Sequence, residues 1–521
     1  HLVEACGKNI LVDCGMEQGN DVYENQELPI AASDVDCILL THAHIDHSGL
    51  IPLMYVNGFR GQVYSTSATA QLCEIMLRDS AHIQMFEAEW RNRKAARSGG
   101  KLKEFVPLYD MDAAVNVCKQ FVGCEYDRVY DIAEGIKIRF TDVGHLLGSA
   151  SIEVWATEKT ENGDVTEKIV FSGDIGNINK PIIKDPKHVR DADYVVMEST
   201  YGNRSHGGTP NYVEDLTDIF KRTFERGGNV VIPSFAVGRT QELLYIIRKI
   251  KEDNLVGRDF DVYMDSPLAI EATNIFIKNV ESCFDDDAVE LVRKGINPLS
   301  FPGLKYATTG DESKQINFDP NPKVIISSSG MCEAGRIRHH LKHNLWRPEC
   351  TIVFVGYQAV GTTGRIIVDG AEEIKLFGEP IQIKAEIVQL KGSSGHADKD
   401  GLLCWINAFD TKPKKVFVVH GEDSVCDEFT ECLKEEYGYD AMAPYTGGSY
   451  DLIADRVISE GVKERKTRRT TSTQRGKTVF DRLVAAGKRL MTVITHNEGG
   501  TNKDLAKFTD QINALCDKWD R

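Results

Sequence analysis

Short apolar runs alternate along this chain with glycine-bearing polar turns and with segments whose apolar residues recur every three or four positions. Asn9–Val12, Val35–Leu40, Ile136–Phe140, Lys168–Phe171 and Lys415–Val419 have the length and branched-residue content of buried strands. Each runs straight into a polar turn. A second set, Gly228–Pro233, Lys323–Ser327 and Thr351–Tyr357, has an amphipathic helix over Thr240–Lys249 between its first two members. The pattern divides the chain into an α/β unit over 1–205, an α/β interruption over 206–345, a return to the first unit over 346–460, and a tail over 461–521. In the tail, Lys463 to Lys477 holds seven Lys or Arg against one Glu and reads as a linker. Beyond it, Val479, Leu483 and Leu490, then Leu505, Phe508, Ile512, Leu515 and Trp519, predict a helical appendage.

The turns after the strands carry the chemistry. His42-Ala43-His44-Ile45-Asp46-His47 places four metal-ligating side chains in six residues, in a chain with 14 histidines among 521 residues. In an extended backbone His42, His44 and Asp46 share one side, and His47 turns toward a neighbouring volume. One segment can then serve two adjacent ions. His145, Asp174 and His420 follow three other strands, each beside a glycine that suits a tight turn. Five His and two Asp suit a pair of Zn²⁺ ions, with manganese or iron as second choices.

His42-x-His44-x-Asp46-His47, followed by His145, Asp174 and His420, resembles the signature of the metallo-β-lactamase fold. Glu198-Ser199-Thr200-Tyr201-Gly202, Ser394-Gly395-His396-Ala397-Asp398 and Val419-His420-Gly421-Glu422 resemble three further motifs of its β-CASP branch, which includes RNase J and the endonuclease of messenger-RNA 3′-end processing. The resemblance covers roughly residues 1 to 455. It implies an α/β fold: an αββα sandwich interrupted by an α/β β-CASP cap, here followed by the helical appendage. It also implies a zinc-dependent ribonuclease, endo- or 5′-exonucleolytic, acting on single-stranded RNA. The expected ligands are His42, His44 and His145 on one metal, and Asp46, His47 and His420 on the other. Asp174 is expected to bridge them, with a hydroxide held between the ions as nucleophile. Asp13 is expected to orient a metal-binding histidine. His396 is the expected general acid, oriented by Glu198. Ser328-Ser329-Gly330 and the segment from Ser234 to Arg239 lie between strands and helices and resemble elements lining the RNA channel. The family opens with a strand upstream of the segment at His1, so part of that strand is expected to precede this sequence.

Composition sharpens the reading. A net charge of −16 favours a strand bound in a cleft over a broad coat on a duplex. Thirteen cysteines without a CxxC pair predict reduced thiols in a cytoplasmic protein, and no apolar stretch is long enough to span a membrane. Two alternatives compete: a DNA nuclease of the same branch, and a metallo-hydrolase of a small thioester or lactone. Branch members acting on DNA tend to have an apolar residue where His420 stands. Glu198, His396 and the long interruption serve no purpose in thioester chemistry. A homodimer through the helical tail is the minority expectation for its role.

Overall fold

The computed structural model describes residues 1–17, 28–97, 105–161, 163–205, 207, 211–390, 394–463, 479–498 and 501–519. Two sheets face one another. The five-stranded sheet runs in the order Leu2–Ala5, Lys8–Val12, Cys37–Leu39, Gln62–Thr66, Phe121–Cys124. The seven-stranded sheet runs Ala441–Met442, Lys415–Val419, Tyr194–Glu198, Gly163–Phe171, Ala150–Thr160, Ile136–Asp142, Val129–Ala133. Ile136–Asp142 alternates as a half-exposed strand should: Ile138 and Phe140 turn inward and Lys137 is exposed. They meet Ile10, Val12 and Leu39 of the facing sheet, with Ile152, Val154, Ile169 and Phe171 completing that core.

Helices close both outer faces. Ser67–Arg97 and Met111–Val117 lay Leu72 and Ala114 on Leu11, Ile38 and Val63. Lys399–Ile406 and Asp423–Glu435 lay Leu402, Trp405 and Phe429 on Val195, Met197 and Val418. Tyr194–Glu198 is covered on both faces, which explains its unbroken apolar run. The result is the αββα sandwich.

The interruption builds a six-stranded parallel sheet ordered Leu304–Tyr306, Asp261–Asp265, Lys323–Ser327, Val230–Pro233, Thr351–Phe354, Glu386–Gln389. Helices Arg239–Glu252 and Pro267–Lys278 cover one face, and Ile337–Asn344 the other. This corrects the expected return to the first domain at 346. Thr351–Phe354 pairs with Val230–Val231 and with Glu386–Gln389, so the cap sheet extends to Gln389. An apolar run buried on both faces reads alike in either sheet, so periodicity alone could not assign it.

One polar network holds the cap together. Asp265, fully buried, accepts from Arg336 at 2.7 Å and from Ser313 at 2.6 Å, and meets His340 Nε2 at 2.6 Å. His340 Nδ1 in turn meets Asn317 Oδ1 at 3.0 Å. Burial disfavours the Asp265 carboxylate, but His340, Ser313 and Arg336 hold its pKa below the ordinary value. Removing one partner strands the others, which costs about 3–5 kcal/mol. Asp265→Ala is therefore expected to lower the urea midpoint strongly; an unchanged midpoint would contradict this role.

The tail forms helices Val479–His496 and Asn502–Trp519, as its periodicity predicts. The first lies by the short turn Ala32–Asp34, where the Thr492 and Ser33 hydroxyls are 3.4 Å apart. Residues 464–478, the greater part of the expected linker, lie outside the described residues.

Candidate metal centre and its surroundings

Every ligand-bearing loop of the large sheet leaves the same edge. Ile136–Asp142 precedes His145, Gly163–Phe171 precedes Asp174, and Lys415–Val419 precedes His420. Tyr194–Glu198 ends on Glu198 itself. The His42–His47 loop reaches them from the end of Cys37–Leu39 in the facing sheet. The extended backbone expected for that loop stops at His44. Ile45–Ser48 is a helical turn, so Asp46 and His47 swing together toward the second cluster.

Three groups of possible ligand atoms come together among the described residues: His42, His44, His145 and Asp174; Asp46, His47 and His420; and Asp174, Glu198 and His396. The first two form a pair of histidine-rich clusters. Asp174 stands between them. Its Oδ2 lies 3.4 Å from His42 Nε2 and 3.5 Å from His145 Nε2; its Oδ1 lies 3.2 Å from His47 Nε2 and 3.4 Å from His420 Nε2.

The hydrogen bonds around the rings decide which nitrogens carry lone pairs. Asp13 accepts from the Thr41 N–H and hydroxyl, both at 2.8 Å, so the Thr41 oxygen is left to accept from His42 Nδ1 at 3.1 Å. His47 Nδ1 donates to Asp13 Oδ2 at 2.7 Å, and His145 Nδ1 to the Gly395 carbonyl at 3.1 Å. In the neutral rings of His42 and His145 the proton sits on Nδ1 and the bare Nε2 faces the centre. Burial disfavours the His47 imidazolium, but Asp174 and Asp13 outweigh it and hold its pKa well above the ordinary value. That ring must give up a proton before its Nε2 can ligate. Burial, reinforced by neighbouring rings, holds the pKa of His42 and His145 below the ordinary value and brings His44 to about 3. These are the ligating forms.

Bare nitrogens facing a carboxylate repel it unless a cation lies between. His42 Nε2 and His44 Nδ1 are 3.0 Å apart, and His145 Nε2 lies 3.2 Å from the same His44 nitrogen. His47 Nε2 and Asp174 Oδ1, 3.2 Å apart, are both buried, and neither makes a well-formed hydrogen bond among the described residues. Such orphaned atoms cost free energy unless something satisfies them. Imidazole and carboxylate donors in two clusters sharing one carboxylate fit a pair of Zn²⁺ ions. Asp13 and His420 hold this arrangement with backbone φ of 57° and 51°, in the left-handed region that non-glycine residues seldom adopt. Gly15 lets the two loops touch: a Cβ there would fall 1.5 Å from the Asp46 carbonyl oxygen. Gly15→Ala is expected to push that loop off its ligands and weaken zinc binding about 10–100-fold, the usual penalty for disturbing the groups that orient metal ligands. A chelator competition measures it, and wild-type affinity would contradict it.

His396 sits at the rim, its side chain 22% exposed. Its backbone is tied beside Asp174, since Ala397 N–H donates to Ile175 O at 2.7 Å. Nδ1 lies 3.2 Å from both Glu198 oxygens and 3.8 Å from Asp174 Oδ2. Glu198 is buried and fixed by the Ile175 and Thr200 backbone N–H groups. Burial disfavours the His396 imidazolium, yet Glu198 and Asp174 overcome it and bring its pKa to about 9.

The expected substrate loops lie on the cap side. The Ser328 hydroxyl donates to Ser266 at 3.1 Å, and the Ser329 N–H donates to Ala334 O at 3.3 Å. The helix that follows this fold-back begins at Ile337. Ser234 is buried and accepts from Thr240 at 3.1 Å. Arg239 donates to Glu242.

Lys180 escaped sequence reasoning. Its ammonium donates to the His145 carbonyl at 2.9 Å and meets Glu242 of the cap at 3.4 Å, tying the His145 loop to the cap. A lone lysine in a polar loop gives no signal of this.

Comparison with known proteins agrees with the geometry. Residues 2–177 match the metallo-beta-lactamase superfamily domain, 240–367 the Beta-Casp domain, and 380–444 the Zn-dependent metallo-hydrolase RNA specificity domain. The chain is 34% identical to Ribonuclease TTHA0252 of Thermus thermophilus over 424 residues, covering 81% of this chain and 90% of that protein. It is 32% identical to the transcription termination factor FttA of Methanosarcina mazei over 458 residues, 85% of this chain and 68% of that protein. It is 31% identical to an RNase J-like protein of Methanocaldococcus jannaschii over 425 residues, 81% and 88% of the two. With the sandwich, the inserted cap and the paired ligand clusters in place, the chain belongs to the β-CASP branch of the metallo-β-lactamase family.

Proposed function

We infer that the protein is a two-metal, zinc-dependent ribonuclease that hydrolyses phosphodiester bonds of single-stranded RNA. The observation that carries this reading is Asp174, whose two oxygens face two separate histidine clusters beside the His396–Glu198 pair. The match of residues 380–444 to an RNA specificity domain and the likeness to a ribonuclease support RNA as substrate.

His42, His44 and His145 would hold one ion, Asp46, His47 and His420 the other, with Asp174 shared. When bound, the ions supply a water nucleophile at neutral pH and neutralise charge developing on the phosphodiester. The chain's own groups do the rest. Asp13 keeps the His47 proton on Nδ1. Glu198 accepts from His396 Nδ1, which leaves Nε2 as the nitrogen that delivers a proton to the departing 3′-oxygen. Ser328, Ser329 and Gly330, with Ser234 and Arg239, would border the bound strand on the cap side.

Labelled single-stranded RNA and a DNA of matched sequence, digested side by side with zinc, test this. RNA cleavage is expected, and product lengths separate endo from exo action. Cutting of DNA alone would promote the DNA-nuclease reading; cutting of neither would overturn the nuclease assignment for these strands.

All 13 cysteines are free thiols, which suits a reducing cytoplasm. Among the described residues no helix is long and apolar enough to cross a membrane. The tail helices leave Leu483, Met491, Leu515 and Trp519 exposed, a face through which two copies could pair. Light scattering on the chain with and without residues 479–521 distinguishes that dimer from a monomer.

A further inference from the structure

The shared carboxylate Asp174 begins a segment that runs from the metal centre to the cap. Gly176 donates its N–H to the Val143 carbonyl at 2.8 Å and forms an antiparallel bridge with His396. Contact with the His145 loop is direct, since a Cβ on Gly176 would fall 1.9 Å from the Gly144 carbonyl oxygen. Further on, Ile183 bridges to Phe284 of the cap, and the Asp285 N–H donates to the Ile182 carbonyl at 2.7 Å. The Lys184 ammonium donates to the Ser282 carbonyl at 2.7 Å. Leu146, Ile182, Phe276 and Phe284 belong to one apolar cluster. One stretch of chain thus carries the shared carboxylate and touches the His145 loop, the His396 loop and the cap.

Lys180 stands in the middle of this stretch. Its ammonium donates to the His145 carbonyl at 2.9 Å and meets Glu242 Oε1 at 3.4 Å. Glu242 lies in the first turn of the cap helix Arg239–Glu252, and its other oxygen accepts from Arg239. The side chains of Lys180 and Glu242 are only 12% and 9% exposed. Burial lowers the Lys180 pKa, with Glu242 opposing that effect and Arg239 adding to it. Buried ion pairs are weak stabilisers, because their attraction is spent on desolvation. What this lysine adds is direction: a charged donor aimed at the backbone carbonyl of a metal ligand. His145 is also held by its N–H on the Ser149 hydroxyl at 3.0 Å and by Nδ1 on the Gly395 carbonyl at 3.1 Å. Lys180 holds the carbonyl side, and the cap holds Lys180. Groups that orient a metal-binding histidine govern its affinity for the ion.

We propose that Lys180 is a positioning residue: anchored by Glu242 of the cap, it fixes the His145 backbone and so sets the zinc affinity of the His42–His44–His145 site. This role rests on the two-metal ribonuclease reading and makes the cap part of the first metal site.

The test measures zinc affinity by chelator competition in Lys180→Met, Glu242→Gln and the double variant. Each is made in a His420→Ala background, which cripples the second cluster, and in a His44→Ala background, which cripples the first. Lys180→Met is expected to weaken the first site about 10–100-fold and to leave the second unchanged. Glu242→Gln is expected to weaken the same site less, and to add nothing to Lys180→Met, since the two residues act as one link. In the otherwise wild-type chain, cleavage lost in Lys180→Met is expected to return with excess zinc, at unchanged KM for RNA. Equal losses at both sites would show a general role in the fold and overturn the positioning role. Undiminished first-site affinity in Lys180→Met, or penalties that multiply in the double variant, would overturn it as well. Absence of RNA cleavage by the wild type would overturn the ribonuclease reading alone, because the zinc affinities are read without RNA.

Discussion

Asp174→Ala is expected to abolish RNA cleavage and to cost the protein its paired metals. Among the described residues its carboxylate is the one shared between the two histidine clusters, each oxygen within 3.5 Å of two ring nitrogens. Without it, each cluster keeps its other donors but loses the anion that offsets two dications at close range. Loss of a metal-dependent nucleophile removes at least about 10³-fold in rate, on the scale of single electrostatic groups at active sites. The fold should survive, because Asp174 lies in a loop and contributes to no hydrophobic core. Circular dichroism and metal analysis of the variant check both halves. Wild-type cleavage by a folded Asp174→Ala protein would refute the shared-carboxylate assignment.

The second large effect concerns the proton. His396→Ala is expected to slow cleavage about 10²–10⁴-fold, the ordinary contribution of a general acid, while metal content stays at the wild-type level. Metal loss would show His396 to be a ligand instead. Glu198→Gln separates these roles through pH. Burial works against the His396 imidazolium; Glu198 is the foremost group that favours it, with Asp174 next. A general acid acts in its protonated form, so the rate falls as pH rises through the His396 pKa. In the metal-free protein that pKa is about 9, and two dications would lower it. Removing the Glu198 charge takes away the principal support, so the alkaline limb is expected to move to lower pH in Glu198→Gln. A limb that stays in place would mean that another group delivers the proton.

Much of this site was legible in the sequence because each ligand follows a strand. A buried strand announces itself by composition, and the polar residue just past its end is delivered to a sheet edge. His145, Asp174 and His420 could be picked out that way, and the density of ligands in His42–His47 did the rest. The order of strands was not legible. Thr351–Phe354 reads as apolar in either sheet, and only its ladder with Val230–Val231 places it in the cap. Contacts made through backbone carbonyls were equally silent: nothing marks Lys180 as the partner of the His145 carbonyl. The Asp265–His340 pair joins residues 75 apart, each ordinary in its own neighbourhood. The left-handed backbone of Asp13 and His420 was hidden too, since the residue types there give no glycine-like warning.

Two metals acting together are central to the proposed chemistry, and a stoichiometric zinc titration tests them. Protein stripped with a chelator is mixed with increasing zinc, and cleavage of a labelled single-stranded RNA is followed alongside bound metal per chain. Activity is expected to be absent without metal and to reach its plateau at two zinc ions per chain. A plateau at one ion, or cleavage that persists in the stripped protein, would contradict the two-metal ribonuclease.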